Sequence, residues 1–299
     1  MKIACFVLLV LAISIIGHSQ TCAESAKEIK PILSTETAGD FAALLANERT
    51  DYFINPDDAN RIIWFGRRTA YTGEYKAAIK IYSDGLKWNP KDARIYRHRG
   101  HRYITLRCFD DAIKDFETAA KLVKGKPDEV EPDGLPNAKN IPTSTLQSNI
   151  WYHLGLAYYL KGDFKNALRA YKECQKVSKN PDMHVATTHW HYMTLRRIGR
   201  AKEAKRLLDP FQGKIEVIEN DDYLKLIRLY RGESKAEDLL KEMSGNANTL
   251  GNASLGYGVG NWYLYNGKRD EAMKIFRQIT TGNQWASFGY IAAEAELAR

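Results

Sequence analysis

The chain has 299 residues, of which 27% are charged and 44% are hydrophobic, within the ordinary range for a folded soluble protein. Its 44 Lys and Arg against 36 Asp and Glu give a net charge of +8, which could favour acidic peptides, anionic lipid or polyanions, or could simply keep the surface soluble. Four cysteines are too few for a disulfide-rich scaffold.

The N-terminus predicts an export signal over residues 1–20. Lys2 precedes an apolar run from Ile3 to Gly17, after which polar residues begin. The run is shorter than the roughly 20 residues of a membrane span, and small residues lie before its end, as in a secretory signal peptide. Cleavage after Ser19 or after Ala23 fits this pattern. We therefore expect an exported chain, periplasmic or associated with the outer surface.

The four cysteines lie at positions that suggest no disulfide framework. Cys22 follows the apolar run, so lipid attachment there is an alternative, although the preceding residues depart from the bacterial lipoprotein pattern. Besides Cys5, Cys108 and Cys174 remain, and they fall in different parts of the units described below. We expect no bridge between these two and assign stability to helix packing.

From residue 59 onward a sequence pattern recurs with a step of 34 residues. Gly66, Ala78 and Tyr82 are followed one step later by Gly100, Ala112 and Phe116. After an insertion the pattern returns at Trp151, Leu154, Gly155, Tyr158, Ala167 and Tyr171. Small residues at such spacing allow two helices to cross closely, while the large residues fill the space around them. The pattern therefore suits helices that cross closely within each unit.

The step divides the chain into successive segments. The predicted organisation begins with a capping segment (21–58) that contains a helix near residues 40–47. Two units (59–126), an acidic and proline-containing loop (127–147) and two further units (148–213) follow. The last region (214–299) holds a degenerate unit, a final unit and a closing helix. The individual frames are 59–92, 93–126, 148–181, 184–213, 220–244 and 253–281, and the closing helix is 284–298. Terminal units of such stacks need a cap that covers their apolar face.

These motifs resemble those of the tetratricopeptide repeat (TPR) family, whose units carry Trp, Leu, Gly and Tyr on the first helix and Ala, an aromatic residue and Pro on or after the second. The resemblance covers about 59–281. It implies an all-α fold, a right-handed superhelical solenoid of antiparallel helix pairs. It also implies protein or peptide binding, although this architecture hosts many roles.

In the family the first helices line a concave groove. Carried over position by position, the groove residues of this chain would be aromatic, cationic or imidazole side chains, with one methionine: Trp64, Arg67, Arg94, Arg97, His98, His101, Tyr152, His153, Tyr159, His189, Trp190 and Met193. Arginine forks and aromatic faces could hold an extended acidic segment or a terminal carboxylate. The alternative is that these side chains are solvated or packed on neighbouring helices.

Other site chemistries find less support in the sequence. His98 and His101 share a helix face, and His153 and His189 occupy equivalent positions, so metal or small-ligand binding is an alternative function. The Lys and Asn pattern of domains that grip chaperone tails is not met. We identify no nucleophile with a base, no cofactor, no metal site and no nucleic-acid partner. The sequence thus predicts a non-catalytic scaffold or adaptor of the cell envelope.

Overall fold

The structure is a computed structural model, and it describes residues 20–245 and 250–299. Over these ranges the chain forms fifteen helices and one isolated antiparallel bridge, between Val130 and Thr145. The predicted all-α class is confirmed. The signal peptide predicted over 1–20 falls on residues 1–19, which lie outside the described residues. The helices are α1 Cys22–Ser25, α2 Thr35–Ile54, α3 Ala59–Tyr71, α4 Tyr75–Trp88, α5 Ala93–Thr105, α6 Phe109–Val123, α7 Leu146–Lys161, α8 Phe164–Val177, α9 Pro181–Arg197, α10 Ala201–Leu207, α11 Asp221–Arg231, α12 Ala236–Gly245, α13 Leu250–Tyr265, α14 Arg269–Thr280 and α15 Phe288–Leu297.

Helices α3 to α10 form four successive pairs, and α13 and α14 form a further pair. Between them, α11 packs on α9 and α13, and α12 packs mainly on α13. At each of the first crossings, a glycine of the first helix lies against an aromatic ring of the second. A Cβ atom on Gly100 would lie 2.9 Å from the Phe116 ring, and one on Gly155 would lie 2.7 Å from the Tyr171 ring. The small residues on the second helices, Ala78, Ala112 and Ala167, are completely buried. Close approach of the helices therefore explains the repeated pattern.

The N-terminal segment packs on the first two pairs. Helix α2 is longer than the predicted helix near 40–47, and it lies on α3 with the rings of Tyr52 and Phe65 stacked at 4.9 Å. Ahead of it, Glu28 accepts a hydrogen bond from the backbone N–H of Lys76 at 2.7 Å. This segment caps the exposed end of the first pair.

A disulfide joins Cys22 to Cys108, at the turn between α5 and α6. It corrects the expectation that helix packing alone stabilises the fold. It also uses the sulfur that a lipid would need, so lipid attachment at Cys22 does not fit this structure. Cys174 is a buried free thiol, and, as expected, it forms no bridge with Cys108.

The insertion between the second and third pairs is non-helical, in agreement with its prolines. Its two ends are held together, because Glu131 donates its backbone N–H to the Ser144 carbonyl and Leu146 donates to the Glu129 carbonyl, at 3.2 and 2.9 Å. The side chain of Glu131 is nonetheless buried. The insertion is thus a surface loop on one side only, and its other side packs on the first helices of the pairs.

The C-terminal segment returns to the middle of the chain. Helix α15 packs on α13 and α14 and also contacts α7. Arg107, at the turn of the second pair, donates to the Trp285 carbonyl at 2.9 Å and to the Glu294 carboxylate at 2.6 Å. Among the described helices, none is long and apolar enough to cross a membrane.

Candidate functional site: the inner wall of the helix stack

The surface formed by the first helices of the pairs, called the inner wall below, carries the twelve side chains predicted to line a groove. Four of them are partly exposed: Trp64, Arg67, Arg94 and His101. Eight are buried: Arg97, His98, Tyr152, His153, Tyr159, His189, Trp190 and Met193. The expectation of an open groove is therefore wrong for most of these positions, because other parts of the chain cover them: the insertion, the C-terminal segment, and helices α11 and α13.

The insertion covers the part of the inner wall formed by α3 and α5. Arg67 donates to the Pro132 carbonyl at 2.8 Å, and the neighbouring Arg68 donates to the Gly134 carbonyl at 2.7 Å. Both arginines also lie over the Trp64 ring, with the guanidinium carbons 4.5 and 4.9 Å from its centre. Cationic and aromatic side chains of the inner wall thus hold an extended stretch of backbone.

The acidic residue of this stretch is bound through its carboxylate. Glu131 lies 3.0 Å from the Arg97 guanidinium, and it accepts a hydrogen bond from the Asn149 amide at 3.0 Å. Both charged groups are about nine-tenths buried. Removing one partner of such a pair would leave the other charge buried and uncompensated, which typically costs about 3–5 kcal/mol.

His98 takes part in this contact as a neutral ring. Burial, and then the positive charge of Arg97, hold the pKa of His98 well below its usual value. Arg97 donates to His98 Nδ1 at 3.0 Å, so the proton of the neutral ring resides on Nε2, which faces Glu131 at 3.4 Å. Because His98 is neutral, the charged Arg97 alone balances the negative charge of Glu131.

The C-terminal segment covers the centre of the inner wall. The ring of Phe288 lies 5.3 Å from His101, 5.5 Å from His153 and 6.5 Å from Tyr152, measured between ring centres. His153 donates from Nδ1 to the Asn149 carbonyl at 2.6 Å. Burial lowers the pKa of His153 to about 3, so this ring is neutral as well.

Helix α13 covers the remaining positions. The hydroxyl of Tyr159 accepts hydrogen bonds from Tyr257 and from Asn261, at 2.9 and 3.0 Å. Trp190 packs between the rings of Tyr159 and Tyr257, and Met193 is fully buried beside them. These residues are part of the hydrophobic core, in agreement with the alternative prediction that the groove side chains pack on neighbouring helices.

His189 lies apart from the other imidazoles. It stacks on Tyr223 at 4.5 Å and shares a hydrogen bond with the Tyr230 hydroxyl, and burial lowers its pKa to about 3. Within the described residues, only Cys22, Cys108 and Asp111 bring three potential ligand atoms close together, and the two sulfurs there are bonded to each other. The histidines therefore offer no support for the metal alternative.

An opening lies on the inner wall beside the insertion. It has a volume of about 200 Å³ and is bounded by both the wall and the insertion. Trp64, Arg67 and Arg94 line it, and Arg94 is already paired with Asp92 and hydrogen-bonded to Asn60. Three of the four partly exposed predicted residues thus lie at the edge of the insertion, and the fourth, His101, lies against Phe288.

Three contacts escaped the sequence-based reasoning: Glu131 on Arg97, Phe288 on the imidazoles, and Cys22 on Cys108. The acidic character of the insertion and the cationic character of the wall were both visible in the sequence. This charge complementarity was the signal that could have predicted the contact between Glu131 and Arg97.

The architecture is that of a helical-repeat protein, and comparison with known proteins specifies the repeat. Residues 148–181 match the family model described as Tetratricopeptide repeat, which identifies the pair α7–α8 as a TPR unit. The sequence resemblance to this family is thereby supported in the third unit, where the motif is most complete.

Two curated proteins are similar over part of the chain. BBSome complex member BBS4 of Bos taurus is 28% identical over 143 residues, which cover 48% of this chain and 23% of that protein. Hsp70-Hsp90 organizing protein of Triticum aestivum is 39% identical over 49 residues, which cover 16% of this chain and 8% of that protein. The chain thus matches less than a quarter of the length of either relative.

Solved TPR structures resemble the fold. A tetratricopeptide repeat protein from Parabacteroides merdae ATCC 43184 is 13% identical, with a TM-score of 0.47, over 86% of this chain and 93% of that one. YrrB, described as a TPR protein with an unusual peptide-binding site, is 16% identical, with a TM-score of 0.44, over 84% of this chain and 97% of that one. Such distant likeness says nothing about what this chain binds.

Proposed function

We propose that the chain is a non-catalytic protein-binding scaffold whose inner wall binds extended acidic segments. The support is a single arrangement, in which the acidic insertion lies on the inner wall. Arg97 binds the carboxylate of Glu131, and Arg67 and Arg68 donate to two backbone carbonyls of the insertion. The insertion is itself an acidic segment of the kind that the cationic and aromatic side chains of the inner wall would bind. A partner segment with the same chemistry would take its place.

The non-catalytic part of the proposal rests on the state of the reactive groups. Burial raises the pKa of the Cys174 thiol to about 11, and the thiol is closed off from solvent. Of the inner-wall imidazoles, His98, His153 and His189 are buried and therefore lack access to a substrate, and the partly exposed His101 lies against the Phe288 ring. The two curated relatives carry names that refer to a complex and to the organizing of other proteins, which agrees with a scaffold.

The test supplies the insertion in trans. Residues 131–143 are replaced by a short Gly-Ser linker, which is feasible because Val130 and Thr145 form the bridge at the base of the insertion and Leu146 donates to the Glu129 carbonyl beside it. A fluorescent peptide with the sequence of residues 128–136 should bind the shortened protein and should bind the intact protein much more weakly. A peptide with Glu131→Gln should bind about ten-fold more weakly, because the buried arginine loses its charged partner.

Helical circular dichroism of the shortened protein is checked first. If that protein fails to fold, the full-length Glu131→Gln variant replaces it, and it should bind the wild-type peptide better than the intact protein does. Equal binding of the Glu and Gln peptides, or no binding by either variant, would remove the inner wall as a peptide site.

We further propose that the protein works outside the cytoplasm, in an oxidising compartment. The predicted export signal and the Cys22–Cys108 disulfide support this, because such bonds persist where thiols are not kept reduced. Cleavage after Ser19 keeps Cys22, whereas cleavage after Ala23 would remove it. Mass spectrometry of the secreted protein, with alkylation before and after reduction, should give a chain that begins before Cys22 and gains two alkyl groups only after reduction. A retained N-terminus or free Cys22 would contradict export in this form.

A further inference from the structure

A second surface of the third repeat is open and has a different character. It is a cleft of about 680 Å³ between α6 and α8, with α7 as its floor, and is called the outer cleft below. The floor is formed by Trp151, Leu154 and Tyr158. These residues alternate along α7 with Tyr152, His153 and Tyr159, which face the inner wall. The outer cleft therefore lies on the other side of α7 from the C-terminal segment.

The rim of the outer cleft is cationic, with five cations against two carboxylates: Lys121, Lys124, Arg169, Lys172 and Lys176, and Glu117 and Glu173. Both carboxylates already have partners. Glu117 accepts a hydrogen bond from the Tyr158 hydroxyl at 2.7 Å, and Glu173 pairs with Lys176 at 2.6 Å. Glu173 offsets the charge of Lys176, whereas the hydrogen bond from Tyr158 leaves the charge of Glu117 in place, so the rim has a net charge of +3 and its cations are exposed on both walls.

Comparison with the second repeat shows why this cleft is open. There, Arg99 fills the corresponding space and binds Asp115 through two hydrogen bonds of 2.7 Å, with a third bond to Ser83 at 3.0 Å. Fifty-five residues later, at the equivalent positions, the chain has Leu154 and Ala170. An internal ion pair has been replaced by an apolar floor, while the aromatic positions are kept as Tyr96 and Trp151, and Tyr103 and Tyr158.

We propose that the outer cleft binds an acidic segment of a partner protein that carries a large apolar side chain. The carboxylates of such a segment match the exposed cations of both walls, and its apolar side chain would cover the partly exposed rings of Trp151 and Tyr158. In the second repeat, Arg99 and Asp115 fill this space themselves, whereas in the third repeat a partner segment would fill it. This inference deepens the scaffold function proposed above but concerns a different surface.

The test uses intact protein and short fluorescent peptides, measured by anisotropy. The probe is a Glu-rich peptide with one central Phe, and its two controls carry Lys in place of Glu or Ser in place of Phe. We expect the probe to bind and both controls to bind at least about ten-fold more weakly. Binding of the probe should also weaken as salt is raised, because the rim charges are exposed.

Three double variants locate the binding. Lys121→Glu with Arg169→Glu reverses one cation on each wall, and Lys274→Glu with Arg277→Glu makes the same charge change on exposed α14. We expect about a ten-fold loss for the first pair and less than about a two-fold change for the control pair. Leu154→Arg with Ala170→Asp rebuilds the ion pair of the second repeat, fills the cleft without changing net charge, and should also abolish binding.

Thermal unfolding establishes that each variant is folded. Undiminished binding by the wall variant, or an equal loss in the α14 control, would overturn the proposal. If the filled variant does not fold, the wall pair and the peptide controls still decide the outcome. Because the intact protein keeps its insertion on the inner wall, a failure here leaves the peptide test of the inner wall unaffected, and the reverse also holds.

Discussion

At the scale of single residues, the fold depends on matched pairs of one small and one large side chain. Gly155 meets the ring of Tyr171, and Gly100 meets the ring of Phe116, with too little space for an added methyl group. Tyr171 and Phe116 are completely buried, so neither ring can move aside. Glycine, which weakens a helix by itself, is therefore favoured here by the tertiary contact.

Gly155→Ala should lower the free energy of unfolding by about 1–3 kcal/mol, because the new Cβ would overlap the Tyr171 ring. Gly39→Ala is the matched control. Gly39 is also helical, nothing lies within 4 Å of an added Cβ there, and the change should raise stability by up to about 1 kcal/mol. Urea unfolding measures both. Stabilisation by both substitutions would show that the crossing is not tightly packed.

The buried histidines make stability dependent on pH. Burial lowers the pKa of His153 to about 3 and that of His191 to about 4, so the folded protein keeps these rings neutral where the unfolded chain protonates them. Stability should therefore fall as the pH drops below about 6.5, by about 1.4 kcal/mol per pH unit for each such ring. The loss continues until the folded-state pKa is reached.

His153→Gln should remove one ring's share of this pH dependence while keeping an N–H donor. Urea unfolding at pH 7 and pH 5 measures the difference, and His184→Gln, at an exposed position, should change it less. Equal losses of stability for the wild-type protein and His153→Gln would mean that His153 is not a buried neutral ring.

At the scale of elements, three segments outside the repeats decide which surfaces stay open. The N-terminal segment is tied to the second repeat by the disulfide, the insertion is held by arginines of the inner wall, and α15 is held by Arg107. Each of these segments joins parts of the chain that are distant in sequence. The helix pairs form the inner wall, and these three segments cover parts of the stack.

Replacing Cys22 and Cys108 by Ser should lower the free energy of unfolding by about 2–4 kcal/mol, because the disulfide restrains a long loop in the unfolded chain. Dithiothreitol should lower the stability of the wild-type protein to the same value and leave the variant unchanged. If the reductant and the substitution had no effect on unfolding, the bond would be absent from the folded protein.

The sequence predicted well what is encoded locally. Gly66, Ala78 and Tyr82 recur with a fixed step because one helix crossing is built the same way each time, so the class of fold followed from the spacing. It did not predict that Phe288 would lie on His101 and His153, or that Cys22 would reach Cys108. These contacts join segments that share no repeat and no spacing. The sequence alone therefore did not predict that most residues of the expected groove are buried.

At the scale of the whole molecule, the chain folds back on itself so that the inner wall becomes mostly interior. Arg107 of the second repeat and Glu294 of α15 meet across this closure, 187 residues apart in sequence, and Arg107 also lies over the Trp285 ring at 3.9 Å. Under the scaffold function proposed above, partners would reach the outer surfaces directly, whereas the inner wall would bind a partner only after a covering segment is displaced.

A double-mutant cycle between Arg107→Ala and Glu294→Ala tests this closure most directly. The two side chains are partly buried and touch only when the C-terminal segment lies on the second repeat. We predict a coupling free energy of about 1 kcal/mol or more in urea unfolding. A coupling within about 0.3 kcal/mol of zero, with the two single substitutions additive, would mean that the C-terminal segment does not close over the inner wall.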